Sequence, residues 1–401
     1  MKRIYEFVME EHLAKDRQML FLVGPRQVGK TTTSLEVSTP RPNHLYLNWD
    51  IAKDRALIIK GADDVADAVG VHQMTNKSIV IFDELHKYRK WKTFLKGFFD
   101  KYSKQIQIIV TGSARLDIYK KGGDSLMGRY FLYRLHPVSV AELLNPVLRE
   151  TEISPVSYRI SDKDFQSLYE FGGFPEPFLK RNRPFYTRWK KLRVHQLFAE
   201  DIRDLTRIQE LGEIELLAQL LQDQAGELIN YSTLANKVNV SVDTIGRWIK
   251  ILKSFYYCFT LQPWTKNITR SLLKEPKIYL WDWALLKDPG ARTENFIASH
   301  LHKAVHFWTD QGLGDYGLHF LRDKEKREVD FLVSKDGKPW FIVEVKTSDT
   351  SLSKSLFYYQ ELTKAPHAFQ VVLDMDYVEG NCFSFSRPVI VPAKTFLSQL
   401  I

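Results

Sequence analysis

Short apolar runs mark the first third of the chain, at 20–23 (Leu-Phe-Leu-Val), 79–82 (Ile-Val-Ile-Phe) and, broken only by Gln107, 106–110 (Ile-Gln-Ile-Ile-Val). Runs this short, with little polar alternation, predict strands buried on both faces, as in a parallel sheet covered by helices. After Pro146 the strand-like runs stop and a helical period takes over, interrupted by the rigid turn of Gly172, Gly173, Phe174, Pro175, Glu176 and Pro177. Leucines at 216, 217, 220 and 221 predict a helix over 215–224. Asn230 or Ser232 can cap a short helix through Lys237. Ile245, Trp248, Ile249 and Leu252 share one face of a third helix over 244–254, and a strand-like stretch follows at 255–261. In the last third, apolar segments 328–333 and 341–346 flank Lys335-Asp336-Gly337-Lys338, the sequence of a hairpin turn. The pattern predicts an α/β chain in three domains, 1–146, 147–270 and 271–401.

Composition narrows this little. At 401 residues, 44% hydrophobic and 26% charged, the chain has the balance of a globular protein, and its sequence has no run long enough to span a bilayer. The opening Met1-Lys2-Arg3-Ile4-Tyr5-Glu6 lacks the apolar block of a signal peptide, and two cysteines, Cys258 and Cys382, are too few for a disulfide framework. A reducing cytoplasm is expected. The net charge of +9 favours an acidic partner, nucleic acid first. Lys180, Arg181, Arg183, Arg188, Lys190, Lys191 and Arg193 form an acid-free basic segment interleaved with Phe185, Tyr186 and Trp189, either a nucleic-acid surface or a solvated helix face.

Chemistry enters with Gly24-Pro25-Arg26-Gln27-Val28-Gly29-Lys30-Thr31, which fits the phosphate-binding pattern GxxxxGK(S/T) between a strand and a helix, with Thr32 next. Backbone N–H groups of such a loop close on nucleotide phosphates, Lys30 reaches the β/γ oxygens and Thr31 ligates Mg²⁺. The 79–82 run ends in Asp83-Glu84: Asp83 is placed to hold Mg²⁺, and Glu84 to orient or deprotonate the attacking water. The third strand ends in Thr111-Gly112-Ser113, where a polar side chain would sit between Asp83 and the γ-phosphate; Ser113 is the first candidate and Thr111 the second. Arg129 is the candidate arginine for a neighbouring subunit's γ-phosphate, with Arg115 and Arg134 as rivals. ATP, Mg²⁺ and a homo-oligomer, a hexamer among its forms, are therefore expected.

The three middle helices and the strand after them have the order of a winged helix-turn-helix. Ser241, Asp243, Thr244, Arg247 and Lys250 lie at the exposed face of its last helix, with Thr244, Arg247 and Lys250 the candidate contacts to duplex or branched DNA. In the last third, Asp330 precedes Glu344 and Lys346, which share a strand face. Two carboxylates able to hold a divalent metal, with a lysine to polarise water or phosphate, fit the PD-(D/E)xK pattern of restriction-like nucleases. Glu294 would add a third carboxylate from a preceding helix, and Tyr359 and Gln360 lie on the following one.

Together these segments resemble the bacterial and archaeal AAA ATPases that end in a restriction-endonuclease-like domain of unknown function. The markers are the Gly24-to-Thr31 loop, Asp83-Glu84 with Trp91, Thr111-Gly112-Ser113, Ser125-Leu126-Met127-Gly128-Arg129 and His136-Pro137-Val138-Ser139 before Glu142. Gly172 to Glu176, Pro276-Lys277-Ile278-Tyr279, Glu328-Val329-Asp330-Phe331 and Glu344-Val345-Lys346 complete them. The resemblance implies an N-terminal P-loop AAA module, a winged-helix middle and a nuclease-like end, and a DNA-associated ATPase. After Tyr279 the family often carries Asp-Thr-Gly, where this chain has Asp282-Trp283-Ala284.

Overall fold

The computed structural model describes residues 1–41, 43–71, 77–112, 126–203, 210–265 and 275–401. Two compact units emerge: Met1–His136 with Pro146–Leu148, and Pro137–Asn145 with Arg149–Ile401.

The first unit runs α1 (Ile4–Lys15), β1 (Met19–Val23), α2 (Lys30–Ser38), β2 (His44–Asn48), α3 (Ala52–Lys60), α4 (Ala62–Ala68), β3 (Ser78–Asp83), α5 (Trp91–Tyr102), β4 (Ile106–Gly112) and β5 (Tyr130–Arg134). The strands form one all-parallel sheet in the order β2-β3-β4-β1-β5. Residues of the three central strands β1, β3 and β4 are buried throughout, whereas the edge strands β2 and β5 alternate with partly exposed positions. That is why only the central three announced themselves as continuous apolar runs. Phe82, Phe94 and Phe98 interlock beneath the sheet at ring separations of 5.5–5.9 Å and continue to Trp91, Leu95 and Tyr102. The apolar face of α5 thereby fixes the height of β3 and of the acids at its end.

The second unit begins with α6 (Val140–Leu144), α7 (Asp162–Phe171), α8 (Pro175–Lys180), α9 (Arg183–Gln196), a π-helical turn at Leu197–Ile202, α10 (Leu211–Asp223), α11 (Tyr231–Val238) and α12 (Val242–Ser254). It continues with β6 (Cys258–Pro263), β7 (Lys277–Leu280), α13 (Pro289–Asp310), β8 (Tyr316–Arg322), β9 (Glu328–Lys335), β10 (Lys338–Lys346), α14 (Lys354–Thr363), β11 (His367–Val372), β12 (Val389–Pro392) and α15 (Ala393–Ser398). Its seven strands make a mixed sheet ordered β12-β11-β10-β9-β8-β6-β7. Asp336 and Gly337 both take positive φ (49° and 73°), the turn that lets β9 and β10 pair directly. β6, the strand expected as a wing after α12, is hydrogen-bonded to β7 and β8 and so belongs to this sheet, which spans position 270.

The middle helices follow their sequence pattern with one exception. Asn230 caps α11 through the Thr233 N–H (2.8 Å) and Ser241 caps α12 through the Thr244 N–H (3.1 Å). Ile245, Trp248, Ile249 and Leu252 are buried as expected. On α10 the buried stripe is Ile214, Leu217, Ala218 and Leu221, with Leu216 exposed; positions i, i+3, i+4 and i+7 select it over the adjacent leucine pairs. The basic segment 180–193 is largely a helix face: Tyr186 and Trp189 point into the core, and Arg181, Arg183 and Arg193 pair with Asp164, Glu170 and Asp282. No described helix is long and apolar enough to cross a membrane.

Candidate functional site

At the carboxyl edge of the first sheet, register sets Asp83 beside Thr111 and Val23 beside Gly112, so three strand ends meet where α2 begins. Open parallel sheets bind ligands at this edge. Gly29 opens α2 at φ 103° and Gln27 sits at φ 62°, so left-handed residues turn the loop from strand to helix. A Cβ on Gly24 would run into the Leu135 carbonyl, which explains the glycine there. Lys30 is buried and its Nζ donates to the Gly24 and Pro25 carbonyls (2.9 and 2.7 Å). Thr32 stands exposed on the first turn of α2.

Asp83 is the hub. Its Oδ2 accepts from Thr31 Oγ1 (2.7 Å) and Tyr46 Oη (2.8 Å), and its Oδ1 from Thr111 Oγ1 (2.5 Å). These contacts bring three neutral hydroxyls and no cation to a buried carboxylate, an oxygen-rich cluster of the kind hard divalent ions take as ligands. Glu84 follows at φ 55° and ψ 20°, an uncommon conformation for a non-glycine residue and one that clusters at functional sites. Its Oε2 lies 3.4 Å from Lys87 Nζ and 3.8 Å from His86 Nε2.

Of the polar candidates on β4, Thr111 is the one seen against Asp83; Ser113 and Arg115 lie outside the described residues. Arg129 is not brought to this edge. Its carbonyl accepts from the Met19 N–H at the start of β1, the opposite end of the sheet, and its guanidinium grips Asp100 at 2.8 and 3.0 Å. Arg134 ends β5 in register with Val23. Sequence reasoning missed Tyr46 and Arg3. Tyr46 lies on an edge strand with no motif; Arg3 is buried, with Nη1 on the Val28 carbonyl (2.9 Å) and Nη2 on the His136 carbonyl (2.7 Å).

The second unit gathers the other predicted acids. Asp330 accepts from the Val345 N–H (2.8 Å), and Glu344 Oε1 accepts from Lys346 Nζ (2.8 Å) while its buried Oε2 has no hydrogen-bond partner. Glu294 on α13 accepts from Tyr279 Oη (2.7 Å) and Lys277 Nζ (3.3 Å). Lys277, buried on β7, also pairs with Glu328, which Arg322 contacts from the other side. Lys277, Tyr279, Glu328 and Arg322 were not anticipated as site residues: a lysine in an apolar strand reads as a strand end until its acids are seen. Burial, then the Asp330 charge, pushes Glu294 and Glu344 each up to about 7, and burial raises Asp330 as well. Lys277 is raised, because its carboxylates outweigh the burial that opposes them. The oxygens of Glu294, Asp330 and Glu344 do not all lie within 4.8 Å of one another. Tyr359 and Gln360 look elsewhere, to the Arg327 carbonyl and to the Ala365 and Ser386 carbonyls.

On α12, Arg247 and Lys250 are exposed, and Thr244 is partly exposed with its hydroxyl on Ser241 Oγ (2.9 Å).

Comparison with known proteins finds similarity in each part of the chain. Residues 16–144 match the family model of an AAA domain. The N-terminal third is similar to an AAA domain. Residues 162–288 and 289–383 match two families each described as a domain of unknown function (DUF8612 and DUF4143). An uncharacterized protein of Mycobacterium tuberculosis is 23% identical over 353 residues, covering 84% of this chain and 72% of its own length. Another, from Methanocaldococcus jannaschii, is 22% identical over 428 residues, covering 97% and 86%. Among solved structures, the Walker-type ATPase of Pyrococcus abyssi aligns over 70% of this chain and 93% of its own, at 15% identity and a TM-score of 0.41. AMPPCP-bound DnaA from Aquifex aeolicus aligns over 61% and 86%, at 13% identity and a TM-score of 0.29.

Proposed function

We propose that the protein is a Mg²⁺-dependent ATPase that works on DNA, with hydrolysis in the AAA domain moving the rest of the chain. The observation that carries this is Asp83, held by Thr31 from the phosphate loop and Thr111 from the neighbouring strand. Loop, acid and third strand converge on one point, which chance motifs would not do. Thr31 and Asp83 would hold Mg²⁺, which neutralises charge on the β- and γ-phosphates when bound. Lys30 would exchange the Gly24 and Pro25 carbonyls for phosphate oxygens, and the N–H groups at the start of α2 would face the same phosphates. Glu84 would accept the proton of the attacking water, and Thr111 would hold Asp83 in place. Arg129, at the far end of its own sheet, would serve only in trans, releasing Asp100 to reach a neighbouring subunit.

The DNA reading rests on the net charge of +9 and on the exposed Arg247 and Lys250 of the helix-turn-helix. Steady-state hydrolysis with and without duplex, single-stranded and branched DNA tests it, with Lys30→Ala as the blank. The expected result is turnover abolished in Lys30→Ala and stimulation of the wild type by one DNA form. Undiminished hydrolysis in the variant removes the ATPase reading; indifference to all three DNA forms moves the protein toward a nucleotide switch with slow turnover.

A second reading, an ATP-regulated metal-dependent nuclease, is favoured by the partnerless Oε2 of Glu344 in the second unit. Asp330 and Glu344 would hold the metal, which would activate water, with Lys346 beside them. Plasmid nicking in Mn²⁺ or Mg²⁺ that disappears in Asp330→Ala would support it.

A further inference from the structure

The residue that the phosphate loop leans on lies outside the loop and outside the matched AAA segment, which begins at residue 16. Arg3 precedes α1 and is 4% exposed. It donates to the Val28 carbonyl at 2.9 Å and to the His136 carbonyl at 2.7 Å, two residues past the end of β5. The helix behind it is fastened to the same strand. Tyr5 Oη donates to the Arg134 carbonyl (2.6 Å), and His12 meets the Tyr133 hydroxyl at 3.1 Å. Arg3 therefore projects from a fixed support.

The Val28 carbonyl matters because of the peptide it belongs to. No cis peptide occurs among the described residues, and in a planar trans peptide the C=O and the following N–H point in opposite directions. Drawing the Val28 oxygen toward Arg3 aims the Gly29 N–H the other way, into the loop. That N–H lies at the N-cap of α2, the end of a helix whose N–H groups receive phosphate. Glycine at 29 and the left-handed Gln27 leave this peptide easy to turn over, so an external clamp has something to fix. Lys30 Nζ bonds the Gly24 and Pro25 carbonyls, at the other end of the loop.

We propose that Arg3 is a positioning residue for nucleotide binding: by holding the Val28 carbonyl against the end of β5, it presets the Gly29 N–H toward the phosphates of ATP. This rests on the ATPase reading above. One planar guanidinium spans two carbonyls; a lysine, as a point donor, reaches them less well.

Hydrolysis by the wild type and its loss in Lys30→Ala first establish that reading. Arg3→Ala should then raise the KM for ATP and the Kd for ADP about tenfold, the scale of one charge-assisted hydrogen bond, with kcat at saturation changed by less than about threefold. Arg3→Lys should fall between the two, and millimolar methylguanidinium should restore part of the loss in Arg3→Ala. A folded Arg3→Ala protein with wild-type KM and Kd overturns the proposal. So does one that melts earlier yet binds nucleotide normally, since that would make Arg3 a support for α1 alone. If Arg3→Ala fails to fold, Arg3→Lys decides: a raised KM supports the clamp, and a KM equal to the wild type's refutes it.

Discussion

Asp83 and Glu344 are both buried carboxylates at the ends of buried strand runs, and their surroundings are opposite. Asp83 receives three hydroxyls and no cation in those contacts. Glu344 has one lysine on one oxygen, nothing on the other, and a neighbouring acid in Asp330. Neutral donors leave a carboxylate's attraction for a cation uncancelled, so the first site offers its oxygens to one. The second is balanced by ions: Glu294, Glu328, Asp330 and Glu344 face Lys277, Arg322 and Lys346. A preorganised site tolerates loss of its charge without unfolding, whereas a buried ion network does not tolerate loss of one member.

The largest effect is expected at the first site. Asp83→Asn keeps the size of the side chain and an oxygen for the hydroxyls but removes the charge. ATP hydrolysis should fall by about 1,000-fold or more, since metal-assisted charge stabilisation is worth several kcal/mol. The fold should hold within about 1 kcal/mol, the net value of a hydrogen bond. Turnover measured beside a urea melt checks both halves. A variant that unfolds would show that the hydroxyl cluster is structural, and the contrast with Glu344 would collapse.

Lys277→Met reverses the outcome. It removes a buried cation that both Glu294 and Glu328 contact and leaves two partly buried carboxylates without it. Breaking a buried pair costs about 3–5 kcal/mol. The unfolding transition of the second unit should drop by about that much while the AAA domain retains nucleotide binding. Melting followed with and without ATP separates the two transitions. Loss of less than about 1 kcal/mol would mean that Glu294 and Glu328 do without the lysine, and the contrast with Asp83 would shrink.

The same contrast decides what could be read from the chain. The P-loop, Asp83-Glu84 and Thr111 are legible because each lies at the end of a continuous apolar run, so one local pattern gives strand, strand end and chemistry together. The Asn230 cap of α11 was legible from its residue type ahead of a helical stripe, whereas the Ser241 cap of α12 was not anticipated. Tyr46 and Arg3 were not: one is on a half-exposed edge strand, the other before a helix with no motif, and each acts through a contact far away in sequence. In the second unit, Asp330, Glu344 and Lys346 announced themselves by spacing on two strands. Lys277 did not, because its role comes from three partners on other elements, Glu294, Glu328 and the Phe320 ring. The wing strand shows the limit from another side. Periodicity says that β6 is a strand, but which sheet it joins depends on β7 and β8, beyond any local window.

The smallest effect, and the one that sharpens the comparison most, concerns pH. Glu294 and Glu344 stand at about 7 in the folded chain against an ordinary 4.5, raised by burial and then by Asp330. An acid whose folded value is raised binds its proton more tightly when folded, so its contribution to stability is complete below pH 4.5 and is lost as pH rises through 7. The second unit should therefore lose stability as pH rises from about 5 to 8, Lys277 and Lys346 already holding the two acids below where burial alone would put them. Glu344→Gln removes one titrating group and should flatten that slope while sparing the melt at pH 5. Mn²⁺ at pH 7 should act like the mutation if Asp330 and Glu344 hold it, because a cation displaces the proton from the same oxygens. A slope unchanged in Glu344→Gln would place the titration on Glu294 alone and leave the orphan oxygen of Glu344 without a proton to release.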